Sequence, residues 1–305
     1  MSLSPIQPPA PLAFIGLGVM GAAMAANLQR AGFRLAVHNR SRAKAAALEQ
    51  AGAGWAASPA EATRGAACVA LCLPDTGDVE AVLFGPGGVA ETVERGAVVI
   101  DFSTIAAAPT AAFAARLAAE RGATLLDSPV SGGPAGARDG TLTCMVGGDT
   151  AAFAAAEPVL RAVGGRLTHL GPPGAGQVCK SANQLLVAAT LQAVAEALAL
   201  GRKAGLEPEA MRQALLGGSA RSFVLENHAK RIIDGVTAPG FRAELMRKDL
   251  RLAVAATRDH GVFAPATATA AQMLEALVNS GRGSLDASSL GALVAELSGV
   301  GAEKA

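Results

Sequence analysis

The order of strand-like and helix-like segments is the feature that most restricts the fold of this chain. Up to about residue 170, short apolar runs alternate with stretches of helical spacing. This alternation predicts a parallel sheet with helices on both faces. Strands are predicted at Leu12–Leu17, Arg34–His38, Cys68–Leu73, Val98–Asp101 and Thr124–Asp127, with two further pieces at Thr141–Val146 and Arg166–Leu170. Helices are predicted at Met20–Ala31, Arg42–Ala51, Pro59–Arg64, Pro109–Arg121 and Ala151–Val163.

The pattern changes after the segment Gly171-Pro172-Pro173-Gly174. Only helical spacing follows it, with breaks at glycine-containing segments. A chain of 305 residues is long enough for two domains with their own cores. We therefore predict an α/β domain over residues 12–172 and an all-α domain over residues 173–300.

Charge and cysteine content exclude several classes of protein. The net charge of +1 provides no basic surface for nucleic acid. Four cysteines in a chain of this size do not form a disulfide framework, and no zinc ligand set is present, so we expect no metal. The most apolar stretch, Leu185–Leu200, is interrupted by Gln192 and Glu196 and is short for a membrane span. A helix buried in a core or a subunit interface fits it better.

The N-terminal segment MSLSPIQPPAP does not have the basic start and apolar core of a signal peptide. Its proline content predicts a disordered segment. We expect a cytoplasmic protein that does not bind a membrane.

A glycine motif follows the first predicted strand and precedes an amphipathic helix. Gly16, Gly18 and Gly21 form the pattern G-x-G-x-x-G. In this context the first glycine permits a tight turn, the second lets the backbone approach a pyrophosphate, and the third allows helix and strand to pack closely. The alternative is a simple turn in a glycine-rich chain. We predict a Rossmann-like domain whose cofactor contacts here are Gly16, Leu17, Gly18, Val19, Met20 and Gly21.

The end of the second strand selects between NAD and NADP. An NAD site normally has an acidic residue there to bond the ribose 2′-hydroxyl, whereas this chain has Asn39, Arg40 and Ser41. A guanidinium group at Arg40 suits a 2′-phosphate. Alternatively, Asn39 or Ser41 caps the next helix and Arg40 is a solvated charge. We favour NADP over NAD and assign all three residues to the cofactor site.

Further polar turns follow other predicted strands. Ligands bind beyond the carboxyl ends of the strands in open α/β sheets. Ser131, Gly132 and Gly133 can offer a hydroxyl and successive N–H groups to a carboxylate, although the same sequence also suits an ordinary turn. Thr104 lies just after another predicted strand, at the same carboxyl-end edge of the sheet. Together with Leu73 and Pro74, it is predicted to contact the cofactor.

Lys180 opens the apolar helix of the predicted second domain. Asn183 and Gln184 follow at helical spacing and share its face. The positive end of the helix dipole and desolvation both disfavour the ammonium form there, which suits a group that transfers protons. The alternative is a side chain that extends from the helix rim to water. The chain has no tyrosine, and its four histidines lack an evident carboxylate partner, so Lys180 is the leading candidate for proton transfer.

Three motifs in order resemble the β-hydroxyacid dehydrogenase family, which includes 3-hydroxyisobutyrate dehydrogenases and tartronate semialdehyde reductases. FIGLGVMGAAMAANL resembles its cofactor motif, DSPVSGGPAGARDGTL its substrate motif and GAGQVCKSANQ its catalytic-lysine motif. The resemblance covers roughly residues 12 to 300. It implies a Rossmann-like domain followed by a helical domain, and a homodimer or homotetramer.

The resemblance also implies roles for individual residues. Ser131, Gly132 and Gly133 would hold the substrate carboxylate, and Lys180 would be catalytic. The remaining roles fall in the second domain. Asn183 and Phe241 would lie beside the substrate, Lys248 would approach the cofactor and Asp249 would help to organise the site.

The expected activity is reduction of a small carboxylated aldehyde, or oxidation of the matching hydroxy acid, with Lys180 as proton donor or base. Gln184 stands where hydroxyisobutyrate dehydrogenases commonly have a second asparagine, which favours a tartronate semialdehyde reductase. The alternatives are a 3-hydroxyisobutyrate dehydrogenase and a succinic semialdehyde or glyoxylate reductase. An imine reductase and a non-catalytic Rossmann binding scaffold are less consistent with Lys180, since such relatives usually lack the lysine.

Overall fold

The computed structural model describes residues 4–300, which form a first unit ending at Lys180 and a second beginning at Ser181. The first unit contains one nine-stranded sheet. Its strands are β1 (Pro11–Ile15), β2 (Arg34–His38), β3 (Gly54–Trp55), β4 (Cys68–Leu71), β5 (Val98–Asp101), β6 (Thr124–Asp127), β7 (Val130–Ser131), β8 (Leu142–Gly147) and β9 (Gly164–Gly171).

Eight helices connect these strands, and a ninth leads out of the first unit. They are α1 (Val19–Arg30), α2 (Ala46–Gln50) after a 3-10 turn at Arg42–Ala45, α3 (Pro59–Thr63), α4 (Thr76–Phe84), α5 (Val89–Thr92), α6 (Ala107–Arg121), α7 (Gly133–Asp139), α8 (Thr150–Val163) and α9 (Ala175–Lys203). The strand–helix alternation predicted from the sequence is confirmed, and β2, β5 and β6 have the predicted bounds.

The strand order is β3-β2-β1-β4-β5-β6-β8-β7, with β9 paired to β8. All pairings among strands β1 to β6 are parallel. Strand β8 instead runs antiparallel to β6 and β7, so the sheet is mixed rather than wholly parallel as expected. The connection from β7 to β8, residues 132–141, is shorter than the roughly dozen residues that a parallel crossover needs.

Both faces of the sheet are buried, because alternate residues of each strand point to opposite sides. In β1, Leu12 and Phe14 belong to one apolar core, whereas Ala13 and Ile15 belong to another on the opposite face. This arrangement places the carboxyl ends of β1, β2, β4, β5 and β6 along one edge. The predicted Rossmann-like class is confirmed.

The N-terminal segment was expected to be disordered. Residues 1–3 lie outside the described part of the chain. Ile6, however, is buried, and its N–H donates to the carbonyl oxygen of Ala155 at 2.8 Å. The apolar side chain of Ile6 and its backbone hydrogen bond hold this proline-rich stretch against α8.

The second unit is helical, as predicted, and has no strand within residues 181–300. Besides the greater part of α9, it contains α10 (Pro208–Leu216), α11 (Ala229–Ile233), α12 (Ala243–Asp259), α13 (Pro265–Leu277) and α14 (Leu290–Leu297), with π-helical segments at Val224–His228 and Val278–Arg282 and a 3-10 turn at Ala287–Ser289. Helix α9 is long and apolar enough to cross a membrane. Its residues Leu191 and Leu198 instead lie in the core of this unit, beside Leu250 and Leu274.

Candidate active site

The glycine turn between β1 and α1 has three glycines with different surroundings. Gly16 has a φ of +97°, and a Cβ there would overlap the carbonyl oxygen of Cys72. A Cβ on Gly21 would overlap the carbonyl oxygen of Gly16. A Cβ on Gly18 would meet no atom within 4 Å. Gly16 and Gly21 therefore allow the turn to form, while Gly18 leaves its surface open to a ligand.

The N-terminus of α1 has the properties of a phosphate site. Helix α1 begins at Val19, directly after Gly18, with no side-chain cap and no acidic residue in its first turn. Its first N–H groups and the positive end of its dipole are thus available to an anion. The residues of this turn fit the pyrophosphate of a dinucleotide.

Asn39 connects this turn to the end of β2. Its Oδ1 accepts a hydrogen bond from the N–H of Leu17 at 2.9 Å, and its Nδ2 donates to the carbonyl oxygen of Ser41 at 3.0 Å. No side chain caps the following 3-10 turn. Asn39 therefore holds the glycine turn in place and does not act as the helix cap considered as an alternative.

Two arginines near the end of β2 differ in their partners. Arg42 makes an ion pair with Glu49 at 2.9 Å and lies over the Trp55 ring, with its Cζ 5.5 Å from the ring centroid. The hydrogen bond that Arg42 donates to the Glu49 carboxylate raises the pKa of Arg42. Arg40 is exposed and makes no ion pair or hydrogen bond with any residue in the described range 4–300. Of the two, Arg40 has the guanidinium that a new anion could pair with.

The loops after β4 and β5 are joined by a serine. The N–H of Leu73 donates to the Oγ of Ser103 at 2.8 Å, and the N–H of Ser103 donates to Asp101 Oδ1 at 2.9 Å. These bonds bring Leu73, Pro74 and Thr104 to the same edge of the sheet as the glycine turn. The predicted cofactor residues of the first unit are thus gathered at one edge.

The predicted substrate turn follows β7. Gly132 and Gly133 have φ values of +134° and +62°, a region that side-chain-bearing residues rarely adopt. Both glycines are exposed and Ser131 is half-buried. A Cβ on Gly133 would meet nothing within 4 Å, so this side of the turn is accessible to a ligand.

Lys180 lies beside this turn. Its side chain is buried, with 7% of the residue exposed, and its Nζ donates to the carbonyl oxygen of Val130 at 2.8 Å. Val130 directly precedes Ser131. The lysine therefore does not extend to water, and its ammonium is held at the base of the predicted substrate turn.

Asp127 holds the start of the helix that carries Lys180. Its two carboxylate oxygens accept the N–H of Gly174 at 2.7 Å and the N–H of Gln177 at 2.9 Å. Burial raises the pKa of Asp127, although these hydrogen bonds oppose the shift. In the sequence, Asp127 ends a predicted strand and begins the substrate motif, but no role was predicted for it. Its position at the end of a buried strand was the available signal.

In the second unit, a chain of polar side chains joins three of the predicted residues. Asn183 Nδ2 donates to Gln184 Oε1 at 2.7 Å, and Gln184 Nε2 donates to Asp249 Oδ2 at 2.7 Å. The other carboxylate oxygen of Asp249 pairs with Lys248 Nζ at 2.8 Å. Gln184, which had no predicted role, is buried and connects Asn183 to Asp249.

Phe241 is positioned by Asp286, a residue for which the sequence predicted no role. Asp286 Oδ2 accepts the N–H groups of Gly240 at 2.8 Å and Phe241 at 3.0 Å. Desolvation would raise the pKa of Asp286, but its bonds to Ser288 and to these backbone groups outweigh it and leave the pKa lowered. An ionised carboxylate therefore holds the loop before α12.

Comparisons with known proteins agree with this arrangement. Residues 11–171 match the family model for the NAD-binding domain of 6-phosphogluconate dehydrogenase, and residues 174–294 match that for the NAD-binding region of NADP-dependent 3-hydroxyisobutyrate dehydrogenase. The chain is 42% identical to 2-hydroxy-3-oxopropionate reductase of Escherichia coli, over 92% of this chain and 95% of that protein. It is 38% identical to 2-(hydroxymethyl)glutarate dehydrogenase of Eubacterium barkeri, over 95% and 96%.

A solved structure shows the same fold. The 3-hydroxyisobutyrate dehydrogenase of Mycobacterium tuberculosis, described with L-serine, superposes with a TM-score of 0.87 at 31% identity and covers 93% of this chain and 99% of its own. Fold and site together define an NAD(P)-dependent oxidoreductase that acts on CH–OH groups. The chain belongs to the β-hydroxyacid dehydrogenase family, as its three motifs predicted.

Proposed function

We propose that this protein is an NADPH-dependent reductase of a small carboxylated aldehyde, with tartronate semialdehyde (2-hydroxy-3-oxopropionate) as the preferred substrate. The observation that carries the proposal is the buried Lys180, bonded to Val130 directly before the Ser131–Gly133 turn. A proton donor and an anion-binding turn thus adjoin each other. This pairing is what reduction of an aldehyde that bears a carboxylate requires.

Ser131, Gly132 and Gly133 bind the substrate carboxylate in this proposal. The turn is accessible, and it offers a hydroxyl and backbone N–H groups, which suit an anion. Anchoring the carboxylate orients the neighbouring aldehyde, and positioning of this kind supplies a large share of the rate.

Lys180 acts as the general acid. A nicotinamide dinucleotide supplies the hydride when bound. The Lys180 ammonium polarises the carbonyl oxygen of the aldehyde and gives a proton to that oxygen as the C–H bond forms. In the oxidative direction the neutral amine takes the proton from the hydroxyl. The hydrogen bond to Val130 keeps Nζ in one position while the proton moves.

The preference for NADP rests on the difference between Arg40 and Arg42. Arg42 is neutralised by Glu49, whereas Arg40 is exposed without an ion pair in the described chain. No acidic side chain follows β2 to bond a ribose 2′-hydroxyl, because Asn39 stands there and binds Leu17. The helical half of the chain also matches a family model for NADP-dependent enzymes.

The choice of tartronate semialdehyde rests on relatives and on one side chain. The Escherichia coli relative at 42% identity is a 2-hydroxy-3-oxopropionate reductase. Gln184 takes the place of the second asparagine that hydroxyisobutyrate dehydrogenases commonly carry, and it is buried against Asp249. A homodimer or homotetramer in the cytoplasm remains our prediction for the assembly and its location.

The test is turnover of a panel of aldehydes by the purified protein. Tartronate semialdehyde, methylmalonate semialdehyde, succinic semialdehyde and glyoxylate are each supplied with NADPH and then with NADH, and loss of the reduced-nicotinamide absorbance is followed. We expect the highest kcat/KM with tartronate semialdehyde and NADPH. A clear preference for another of these aldehydes would reassign the substrate. A preference for NADH would overturn the cofactor assignment, and no turnover of any aldehyde would overturn the function.

A further inference from the structure

Gln177 is a buried amide whose side chain binds the backbone on both sides of Thr104. Its Oε1 accepts the N–H of Ile105 at 3.1 Å, and its Nε2 donates to the carbonyl oxygen of Ser103 at 2.9 Å. The residue is 1% exposed. One planar amide thus satisfies the two peptide groups next to Thr104.

This pair of hydrogen bonds requires a neutral group that both donates and accepts. A carbonyl oxygen such as that of Ser103 needs a donor, and the N–H of Ile105 needs an acceptor. An amide provides both, and the two bonds fix its orientation. An apolar side chain of the same size would leave both buried peptide groups without these partners.

The backbone of Gln177 takes part in a second set of contacts. Its N–H binds Asp127 Oδ2 at 2.9 Å, in the first turn of α9. Lys180 follows three residues later on the same helix and binds Val130, which lies just beyond Asp127. Gln177 therefore joins the loop after β5 to the helix turn that carries Lys180.

We propose that Gln177 is a positioning residue that fixes the distance between the Thr104 loop, where the cofactor binds, and the ammonium of Lys180. The inference rests on the proposed function, because it assigns hydride donation to the side of Thr104 and proton donation to Lys180. Hydride and proton must reach adjacent atoms of one carbonyl. The position of the Thr104 loop relative to Lys180 then controls kcat rather than the affinity for the cofactor or the aldehyde.

The kinetic test compares Gln177→Met with Gln29→Met in the full-length protein. Gln29 is a matched control because its amide also donates to backbone carbonyl oxygens, those of Leu48 and Ala51, away from Thr104 and Lys180. We expect Gln177→Met to lower kcat by about 10- to 100-fold, since a displacement near 1 Å can cost on the order of 100-fold. The KM for the aldehyde and the Kd for NADPH should stay within about threefold of wild type, a change below 1 kcal/mol.

The variant Gln177→Glu distinguishes a positioning role of the Gln177 side chain from a general loss of stability. A protonated carboxyl group can accept from Ile105 and donate to Ser103, as the amide does, whereas an ionised one cannot donate. The ratio of kcat for Gln177→Glu to kcat for Gln177→Met should therefore rise as the pH is lowered. A ratio that does not vary with pH would contradict the proposal, as would a Gln177→Met protein with the kcat of Gln29→Met.

Amide hydrogen exchange gives a readout that does not depend on turnover. In Gln177→Met, the Ile105 amide should exchange faster than in wild type, both alone and with NADPH, while Gln29→Met should leave it unchanged. Unchanged exchange at Ile105 would overturn the inference even if none of the aldehydes is a substrate. If the wild-type protein reduces an aldehyde and Gln177→Met has the same kcat, only the inference about Gln177 is overturned. The proposed function then stands.

Discussion

The Nζ of Lys180 lies 2.8 Å from the carbonyl oxygen of Val130, in the residue directly before Ser131. The bond crosses 50 positions of sequence and ties α9 to the first residue of β7. A lysine that would otherwise extend to solvent is buried as a result. The proposed proton donor and the proposed substrate turn therefore lie next to each other in the first unit.

We expect Lys180→Met to lower kcat by roughly 10²- to 10⁴-fold, the usual contribution of a positioned proton donor. The Kd for NADPH should be unchanged, because the predicted cofactor contacts lie on other segments. Lys230→Met is the control, since Lys230 is exposed and pairs with Asp234 four residues further along the chain. Stopped-flow turnover and fluorescence titration of NADPH measure the two quantities. Near-normal kcat in Lys180→Met would refute its role.

Arg40→Ala should weaken NADPH binding by about tenfold or more, which is the scale of a charge-assisted hydrogen bond. NADH binding should change little, since NADH has no 2′-phosphate. Arg42→Ala is the matched control, because its guanidinium is already paired with Glu49. Equal effects of Arg40→Ala on both cofactors, measured by calorimetry, would show that Arg40 does not contact the 2′-phosphate.

Gly18→Ala and Gly21→Ala should separate cofactor binding from folding. A Cβ at Gly18 projects into open space, so the variant should fold with a Tm near that of wild type but bind the dinucleotide more weakly. A Cβ at Gly21 would overlap the carbonyl oxygen of Gly16, so this variant should lose stability. Thermal unfolding with and without NADPH distinguishes the two. A Gly18→Ala protein with unaltered NADPH affinity would place the pyrophosphate elsewhere.

Glu209 makes the second unit sensitive to acid. The hydrogen bond from Arg212, a residue only 5% exposed, lowers the pKa of Glu209 to about 2 from an ordinary 4.5. A lowered pKa stabilises the folded state above the unfolded pKa, and this stabilisation is lost as the pH falls from 4.5 toward 2. The Tm difference between wild type and Glu209→Gln should therefore shrink over that range. A Tm difference that stays constant with pH would contradict the lowered pKa of Glu209.

Periodicity alone was enough to locate most strands and helices of the first unit. Strands β2, β5 and β6 were predicted with their observed bounds because each is a continuous apolar run between turn residues. The two-residue strands β3 and β7 were missed. Such short strands are defined by their pairing with neighbours, which local sequence does not show.

The local motifs were equally informative about chemistry. The glycine pattern at Gly16–Gly21 and the lysine at the start of α9 carry their signal within a few residues. Asp127, Gln177 and Asp286 were not assigned roles, since each acts through partners that lie far away along the chain. Gln177 and Ser103 are 74 positions apart, and Asp286 and Phe241 are 45 apart.

The sequence by itself determined the class of fold, the family, the glycine turn and the choice of Lys180 as the proposed proton donor, because these depend on residue type and short spacing. Tertiary structure alone decided that β8 runs antiparallel and that Asn39 binds the glycine turn. It likewise decided that Arg42 has an ion-pair partner, whereas Arg40 has none among residues 4–300. It also decided that Gln177 spans the Thr104 loop. The physical reason is that a hydrogen bond or ion pair depends on which groups the fold brings within about 3 Å, and chain spacing does not specify that.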